Sequence, residues 1–282
     1  MTGFAFAGRE LEAAAQRLFA AVQVQAGLGD LPGVFAFASG TSFYSRILPD
    51  ASLHLGFSGT AMHWLSRLPG QLADAVHAVL GTAAERVPFA AQAAADWQTI
   101  LLHRAAELTP GGRLVLANFC QDEAGYYLGY TGRKNMHATF AKHWAGLRDA
   151  GVITEAEVRG ANFPQFYKTV AEFRAPFDDP ASAVSRAGLV LEHCETRITP
   201  CPYAARFAQE RDPAAFAAAY VPTLRSWSEN VFLGALDASH PAGQRQAIVD
   251  RFYASYEAEV AAEPDGHAMD YVHCFMVMAK QG

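Results

Sequence analysis

The chain has little of what marks several functional classes. Only 18% of its 282 residues are charged, 22 Lys and Arg against 28 Asp and Glu for a net charge of −6, and no basic run occurs. A phosphate-backbone partner would need Lys and Arg gathered on one face, so no nucleic acid is expected. The four cysteines, Cys120, Cys194, Cys201 and Cys274, form no CxxC pair. That argues against a disulfide framework or a zinc knuckle, implies no metal, and fits a reducing compartment. The longest apolar stretches are broken well short of a bilayer span. Met1 to Ala21 carries Arg9, Glu10 and Glu12 where a signal peptide needs an unbroken apolar centre. A cytoplasmic protein with no membrane partner is expected. No Gly-x-Ser-x-Gly occurs, which disfavours an α/β hydrolase.

What is present is apolar material, 51% of the chain, enough for one domain with an elaboration. Glu10 to Val22 has apolar residues at helical spacing. Short β-rich runs follow at Val22 to Gln25, Val34 to Ala38, Ser52 to Phe57, Arg113 to Phe119, Leu189 to Ile198 and Tyr271 to Ala279. Helical stretches at Leu72 to Leu80, Ala94 to Leu108 and Gln244 to Ala261 separate them. That alternation predicts an α/β fold with a mostly parallel sheet. Gly111-Gly112 after Pro110 is expected to end the helix before it in the left-handed conformation and to feed a strand. Asp122 to Gly160 and Arg206 to Leu236 are helical and suggest a cap beside the sheet. The expected division is a core over residues 1–120, cap over 121–165, core over 166–198, cap over 199–240, and a last helix and strand over 241–282.

Gly27 to Gly33, GLGDLPG, imitates a dinucleotide fingerprint, but Pro32-Gly33 leads into VFAFAS rather than into a helix whose amino end could meet a phosphate. The dinucleotide reading is rejected. Asp30 stands instead where α/β cofactor domains hydrogen-bond a ribose diol, against the plainer reading of a turn aspartate before Pro-Gly. Ser42 to Pro69 is the most informative stretch. It reads strand, turn, strand, then a loop that ends in His63-Trp64.

Asp30-Leu31-Pro32-Gly33, Ser42-Phe43-Tyr44 and the run Ser58-Gly59-Thr60-Ala61-Met62-His63-Trp64-Leu65-Ser66 resemble, in order, motifs of the plant-type carboxyl methyltransferases of the salicylic acid, benzoic acid and theobromine family, known as SABATH. The likeness extends through Leu101 to Leu116 and Asn162-Phe163-Pro164-Gln165-Phe166. It implies a Rossmann-like methyltransferase sheet with an α-helical cap, S-adenosylmethionine as cofactor and a small, mostly apolar carboxylic acid as substrate. It implies that Asp30 holds the ribose, that Leu31, Ser42 and Phe43 line the adenine pocket, and that Trp64, with His63, holds the substrate carboxylate. Thr60, where the family has tyrosine, reshapes the pocket, and Met136, His137 and Phe166 touch the substrate. It leaves room for a homodimer.

The chemistry agrees with a sequence that offers no Ser-His-Asp or paired-carboxylate constellation. A carboxylic acid with a pKa near ~4 is already ionised at neutral pH, so methyl transfer to it needs no general base. Alignment and exclusion of water are what the protein supplies. A tryptophan N–H, a donor only, holds a carboxylate oxygen without competing as a nucleophile. The family carries a first strand and a glycine-rich loop ahead of these motifs, and nothing before Glu10 resembles them. The expectation is a truncated reading frame, the alternative a homologue that binds a small acid without catalysis.

Overall fold

The structure is a computed structural model that describes residues 39–282. The helix read at Glu10 to Val22, the strands at Val22 to Gln25 and Val34 to Ala38, and Asp30 and Leu31 lie outside the described residues. After a turn-rich segment come β1 (Leu53–Gly59), one 3-10 turn (Ala78–Leu80), α1 (Ala83–Glu107) and β2 (Leu108–Gln121). Then follow α2 (Met136–Asp149), α3 (Glu155–Gly160), β3 (Lys168–Thr169), α4 (Val170–Asp178) and α5 (Ala183–Arg186). β4 (Leu189–Thr199), α6 (Pro202–Glu210), α7 (Pro213–Ala235), α8 (Ala242–Ala262) and β5 (Tyr271–Lys280) complete the fold.

The sheet order is β1-β2-β5-β4, with β3 pairing on the end of β2. β1 and β3 run parallel to β2, while β5 is antiparallel to both β2 and β4. The α/β reading holds, with the last strand reversed. The cause is the route of the chain: β4 ends at Thr199 opposite Tyr271, where β5 begins. The three helices between them therefore return the chain to the same edge of the sheet, and only an antiparallel strand can follow.

Three local expectations are corrected. Residues 42–50 form turns, not a strand. Leu72 to Leu80 yields only the 3-10 turn, because distant side chains claim its backbone groups: Leu72 N–H donates to Asn162 Oδ1, Ala73 N–H to Glu85 Oε1, and Asn162 Nδ2 donates to Ala75 O. An α-helix would have to give these up. Gly111 does take a left-handed φ of 79°, but α1 has already ended at Glu107. Gly111-Gly112 lie instead in a bulge, where the ladder steps from Leu53↔Leu108 to Leu55↔Arg113. A Cβ on Gly112 would stand 2.9 Å from Leu53 O and from Thr109 O.

α1 starts in a Thr82–Glu85 capping box and turns Phe89, Ala93, Trp97, Ile100, Leu101 and Arg104 inward. Its lower half packs on the sheet with Leu114, Leu116, Phe173 and Met276, and a second, larger cluster joins α2, α7 and α8 around Phe140, Trp144, Phe232 and Phe252. Phe119 of β2 and Tyr271 of β5 belong to the larger cluster. Both residues of the buried Arg104–Glu107 pair reach across to residues 43–48. Arg104 donates to Phe43 O and Ser45 O, and Glu107 accepts from Ile47 N–H and Leu48 N–H. Burial alone would raise the Glu107 carboxyl, but the hydrogen bonds from Arg104 and these amides hold it below its ordinary value. Arg104→Met would leave that carboxylate buried and unpaired. It is expected to lower unfolding free energy in urea by about 3–5 kcal/mol, and a loss under ~1 kcal/mol would show that the pair does not pin the segment.

Candidate functional site

The loop after β1 is fixed atom by atom. Met62 O accepts from Lys168 Nζ (3.2 Å), His63 O from Phe166 N–H (2.8 Å), and Trp64 O from the Tyr44 hydroxyl (2.7 Å). Trp64 N–H donates to Ala61 O, Leu65 N–H to Pro164 O (2.7 Å), and Ser66 N–H to Asp96 Oδ2 (2.8 Å). Every residue from Met62 to Ser66 is thus tied, in part through an antiparallel bridge between Trp64 and Gln165. The bridge forms because Pro164 favours extended backbone on its amino side and donates nothing itself.

The His63 and Trp64 rings, 5.5 Å apart, face different surroundings. Trp64 lines a cleft of about 420 Å³ between Phe43 and Tyr44 on one side and Trp227, Asn230 and Val231 of α7 on the other. Trp97 and Trp144 donate their indole N–H groups to Phe173 O and Glu157 O. That of Trp64 has no acceptor among the described residues. His63 is buried against Phe119 (4.9 Å between rings) and Tyr167 (6.0 Å).

Behind His63 lies a buried stack. His77 sits between His137 at 4.3 Å and Tyr167 at 4.5 Å, and His137 Nε2 lies 3.1 Å from the Tyr167 hydroxyl. His273 stacks on Phe119 at 5.0 Å. Burial pushes His63 and His137 down to about 3 and His77 well below its ordinary value, so all three are neutral at pH 7. Lys168 and the neighbouring histidines add to the effect on His63. Lys168 is itself buried beside Trp97 and Phe173 and lowered to about 8 by burial, against the pull of Asp96 and Glu172. No three of the described His, Cys, Asp or Glu residues are placed to hold a metal ion.

The residues singled out in the sequence distribute unevenly. His63 and His137 meet around Tyr167, and Phe43 and Trp64 share the cleft. Thr60 follows the last residue of β1, and Ser42 is exposed beside Phe43. Met136 turns toward Gly129, within 3 Å of where a Cβ on that glycine would stand. Phe166 does not reach the stack. It packs with Leu65, Leu72 and Phe89 against α1, and Tyr167, its neighbour on the opposite face of an extended segment, is the residue that does. Tyr167, His77, Lys168 and Tyr44 are the members that sequence reasoning missed. The Phe-Tyr pair after Asn-Phe-Pro-Gln is a signal for Tyr167 alone, since period-2 alternation allows either ring to face the site.

Residues 10–281 match the family described as SAM dependent carboxyl methyltransferase. The chain belongs to this family. Among relatives, it is similar to loganic acid O-methyltransferase of Catharanthus roseus, 28% identical over 48% of this chain and 40% of that one. It also resembles O-methyltransferase acrG of Aspergillus aculeatus, 26% identical over 88% and 68%. A solved loganic acid methyltransferase with SAH matches with a TM-score of 0.61 at 19% identity over 89% of this chain and 69% of that one, and so shares the fold. The chain spans 40% of the length of the Catharanthus relative and of a probable jasmonic acid carboxyl methyltransferase of Theobroma cacao. Among the described residues no helix is long and apolar enough to cross a membrane.

The neutral histidines have a stability consequence. A histidine whose folded pKa lies below its unfolded value near ~6.5 takes up its proton only on unfolding, so stability is full above that value and falls as pH drops toward the folded pKa. Each is expected to cost up to about 1.4 kcal/mol per pH unit below 6.5. Urea unfolding between pH 7 and pH 5 should show this slope, shallower by about one proton in His137→Phe. An unchanged slope in the variant would place His137 in contact with water.

Proposed function

We propose that the protein transfers a methyl group from S-adenosylmethionine to the carboxylate of a small, largely apolar acid, and that Trp64 holds that carboxylate. The observation that carries the reading is the Trp64 indole. Its backbone is tied on both sides and its ring forms a cleft wall, and its N–H has no acceptor among the described residues. A preorganised donor costs nothing to orient when the substrate arrives. Neutral His63, 5.5 Å away between ring centres, supplies a second hydrogen bond without a charge that could mask the nucleophile.

The cofactor fits the residues present. Phe43 offers a half-exposed ring at the cleft, with its carbonyl fixed by Arg104, and Ser42 offers an exposed hydroxyl beside it, as a flat nitrogen heterocycle requires. Asp30 and Leu31 complete that pocket in this reading. The cofactor, when bound, supplies a methyl group on a positive sulfur. This chain's own part is to bind the acid as its anion, to orient one oxygen through Trp64, and to exclude water with the aromatic walls. Thr60, Met136, His137 and Phe166 remain the proposed substrate-side residues, Phe166 acting by supporting Leu65. In the same reading residues 121–165 and 199–240 form the cap over a core of 1–120, 166–198 and 241–282. The protein works in the cytoplasm, as its four free thiols suit, as a monomer or a homodimer.

The test is methyl ester formation from labelled S-adenosylmethionine across a panel of small acids, with wild type and Trp64→Phe. Removing one hydrogen bond to a charged group is expected to lower kcat/KM by about ten- to a hundredfold, with circular dichroism unchanged. Ester formed equally by both proteins would remove Trp64 from the site.

A further inference from the structure

A buried ammonium is costly unless its surroundings use the charge. Lys168 is 2% exposed and forms no ion pair among the described residues. Its Nζ stands 5.4 Å from the centre of the Phe173 ring on α4 and 6.0 Å from that of Trp97 on α1. An apolar side chain of similar length would fill that space without the desolvation cost, so packing does not account for the charge. What the ammonium reaches is Met62 O at 3.2 Å, its one hydrogen-bond acceptor among the described residues. That carbonyl lies inside the turn that Trp64 N–H closes onto Ala61 O at 3.1 Å. A shift at Met62 therefore moves Trp64 with it. The far end of the same segment is held by a group of opposite charge, since Ser66 gives Asp96 both its N–H at 2.8 Å and its hydroxyl at 2.7 Å.

We propose that Lys168 is a positioning residue for the methyl transfer: its ammonium, by holding Met62 O, sets the place of the Trp64 indole N–H, so that the reaction depends on the protonated form of a lysine that does not itself line the cleft. This rests on the reading of Trp64 as the carboxylate anchor. Burial brings Lys168 from its ordinary value of 10.5 down to about 8, while Asp96 on α1 and Glu172 on α4 favour its proton. His63 on the loop is down at about 3, and Cys120, its ladder partner on β2, is pushed up to about 12, so neither changes charge between pH 7 and pH 9. As pH rises past about 8, the charge-assisted bond to Met62 O becomes a neutral and weaker one. The effect on stability has the opposite sign. A lysine whose folded pKa is lowered gives up its proton in the folded chain first, so its share of stability grows as pH climbs from about 8 toward 10.5. Activity lost in that window is therefore not lost to unfolding at Lys168.

The first measurement needs no substrate. In protein labelled with 5-fluorotryptophan, the Trp64 fluorine signal, identified by its absence in Trp64→Phe, is expected to titrate between about pH 6.5 and 9.5 with a midpoint of about 8, together with that of Trp97. Lys168→Met should abolish both titrations. Lys168→Arg, whose guanidinium keeps its charge throughout, should hold the Trp64 signal at its low-pH position. The second measurement is turnover of any acid that the wild type methylates. Wild-type kcat/KM should be about tenfold lower at pH 9 than at pH 7, since a group with a pKa of about 8 keeps about a tenth of its protons at pH 9. Lys168→Met should be low and level over that range, Lys168→Arg level and higher, and urea unfolding should show the wild type gaining stability relative to Lys168→Met. A Trp64 signal that stays in place, with or without movement of Trp97, a titration that survives in Lys168→Met, a level wild-type kcat/KM, or a wild type that loses stability relative to Lys168→Met as activity falls would overturn the inference. Failure to form ester from any acid would instead overturn the function proposed for the cleft, and the fluorine titration would still decide the part played by Lys168.

Discussion

The site depends on one extended strip, Asn162 to Thr169, and on the constraint that both of its faces are used. Along it, Asn162 holds the backbone at Leu72 and Ala75, Phe163 N–H reaches Val76 O, Pro164 O and Phe166 N–H clasp the His63-Trp64 loop, and Lys168 holds Met62 O before β3 joins β2. Alternation sends Gln165 and Tyr167 to the histidine stack and Phe166 and Lys168 to α1, where Phe89, Ala93 and Trp97 form a continuous stripe. Core packing and site geometry are therefore set by the same eight residues. A change that disturbs one face moves the other, because a strand's two rows of side chains share one backbone.

This arrangement explains how a loop can carry a donor with the precision of a helix. The segment from Met62 to Ser66 has no regular structure, yet its backbone groups are met by partners on three separate elements: the Asn162–Thr169 strip, the 43–48 segment through Tyr44, and α1 through Asp96. The 43–48 segment is in turn pinned by Arg104 and Glu107, also on α1. Irregular backbone buried in this way must be satisfied group by group, and the satisfaction is what makes it rigid.

Much of this was legible in the sequence, and the rest was hidden for identifiable reasons. The His63-Trp64 run, the α/β alternation and the helices between β4 and β5 are carried by local patterns, and β4 and β5 match their expected bounds closely, while β2 begins at Leu108 rather than Arg113. His77 was invisible because a lone histidine between Val and Ala has no local signature; its place in the stack comes from His137 and Tyr167, both distant in the sequence. The helix expected at Leu72 to Leu80 failed for the same reason, since Asn162 claims the backbone from 90 residues off. Phe166 is expected at the pocket because Asn162-Phe163-Pro164-Gln165-Phe166 resembles a family motif that ends in a pocket tyrosine, whereas here Phe166 packs against α1 and Tyr167 faces the stack.

Lys168 shows why these distant couplings bear on charge as well as on shape. Among the described residues it is the one buried lysine, and its charge is among the causes that keep His63 unprotonated. Asp96 offsets it in part, but that carboxylate is already occupied by Ser66 N–H, the Ser66 hydroxyl and Gln92. The Lys168 charge that disfavours a proton on His63 attracts an anion, whereas burial, the larger cause of the His63 shift, disfavours charge of either sign. The region around His63 and Trp64 thus pairs neutral donors with a fixed positive charge held one residue back from the ring. In the proposed reading Lys168 offsets part of the cost of burying a carboxylate there and the donors orient it, so that the two tasks fall to different residues and neither requires a proton to move.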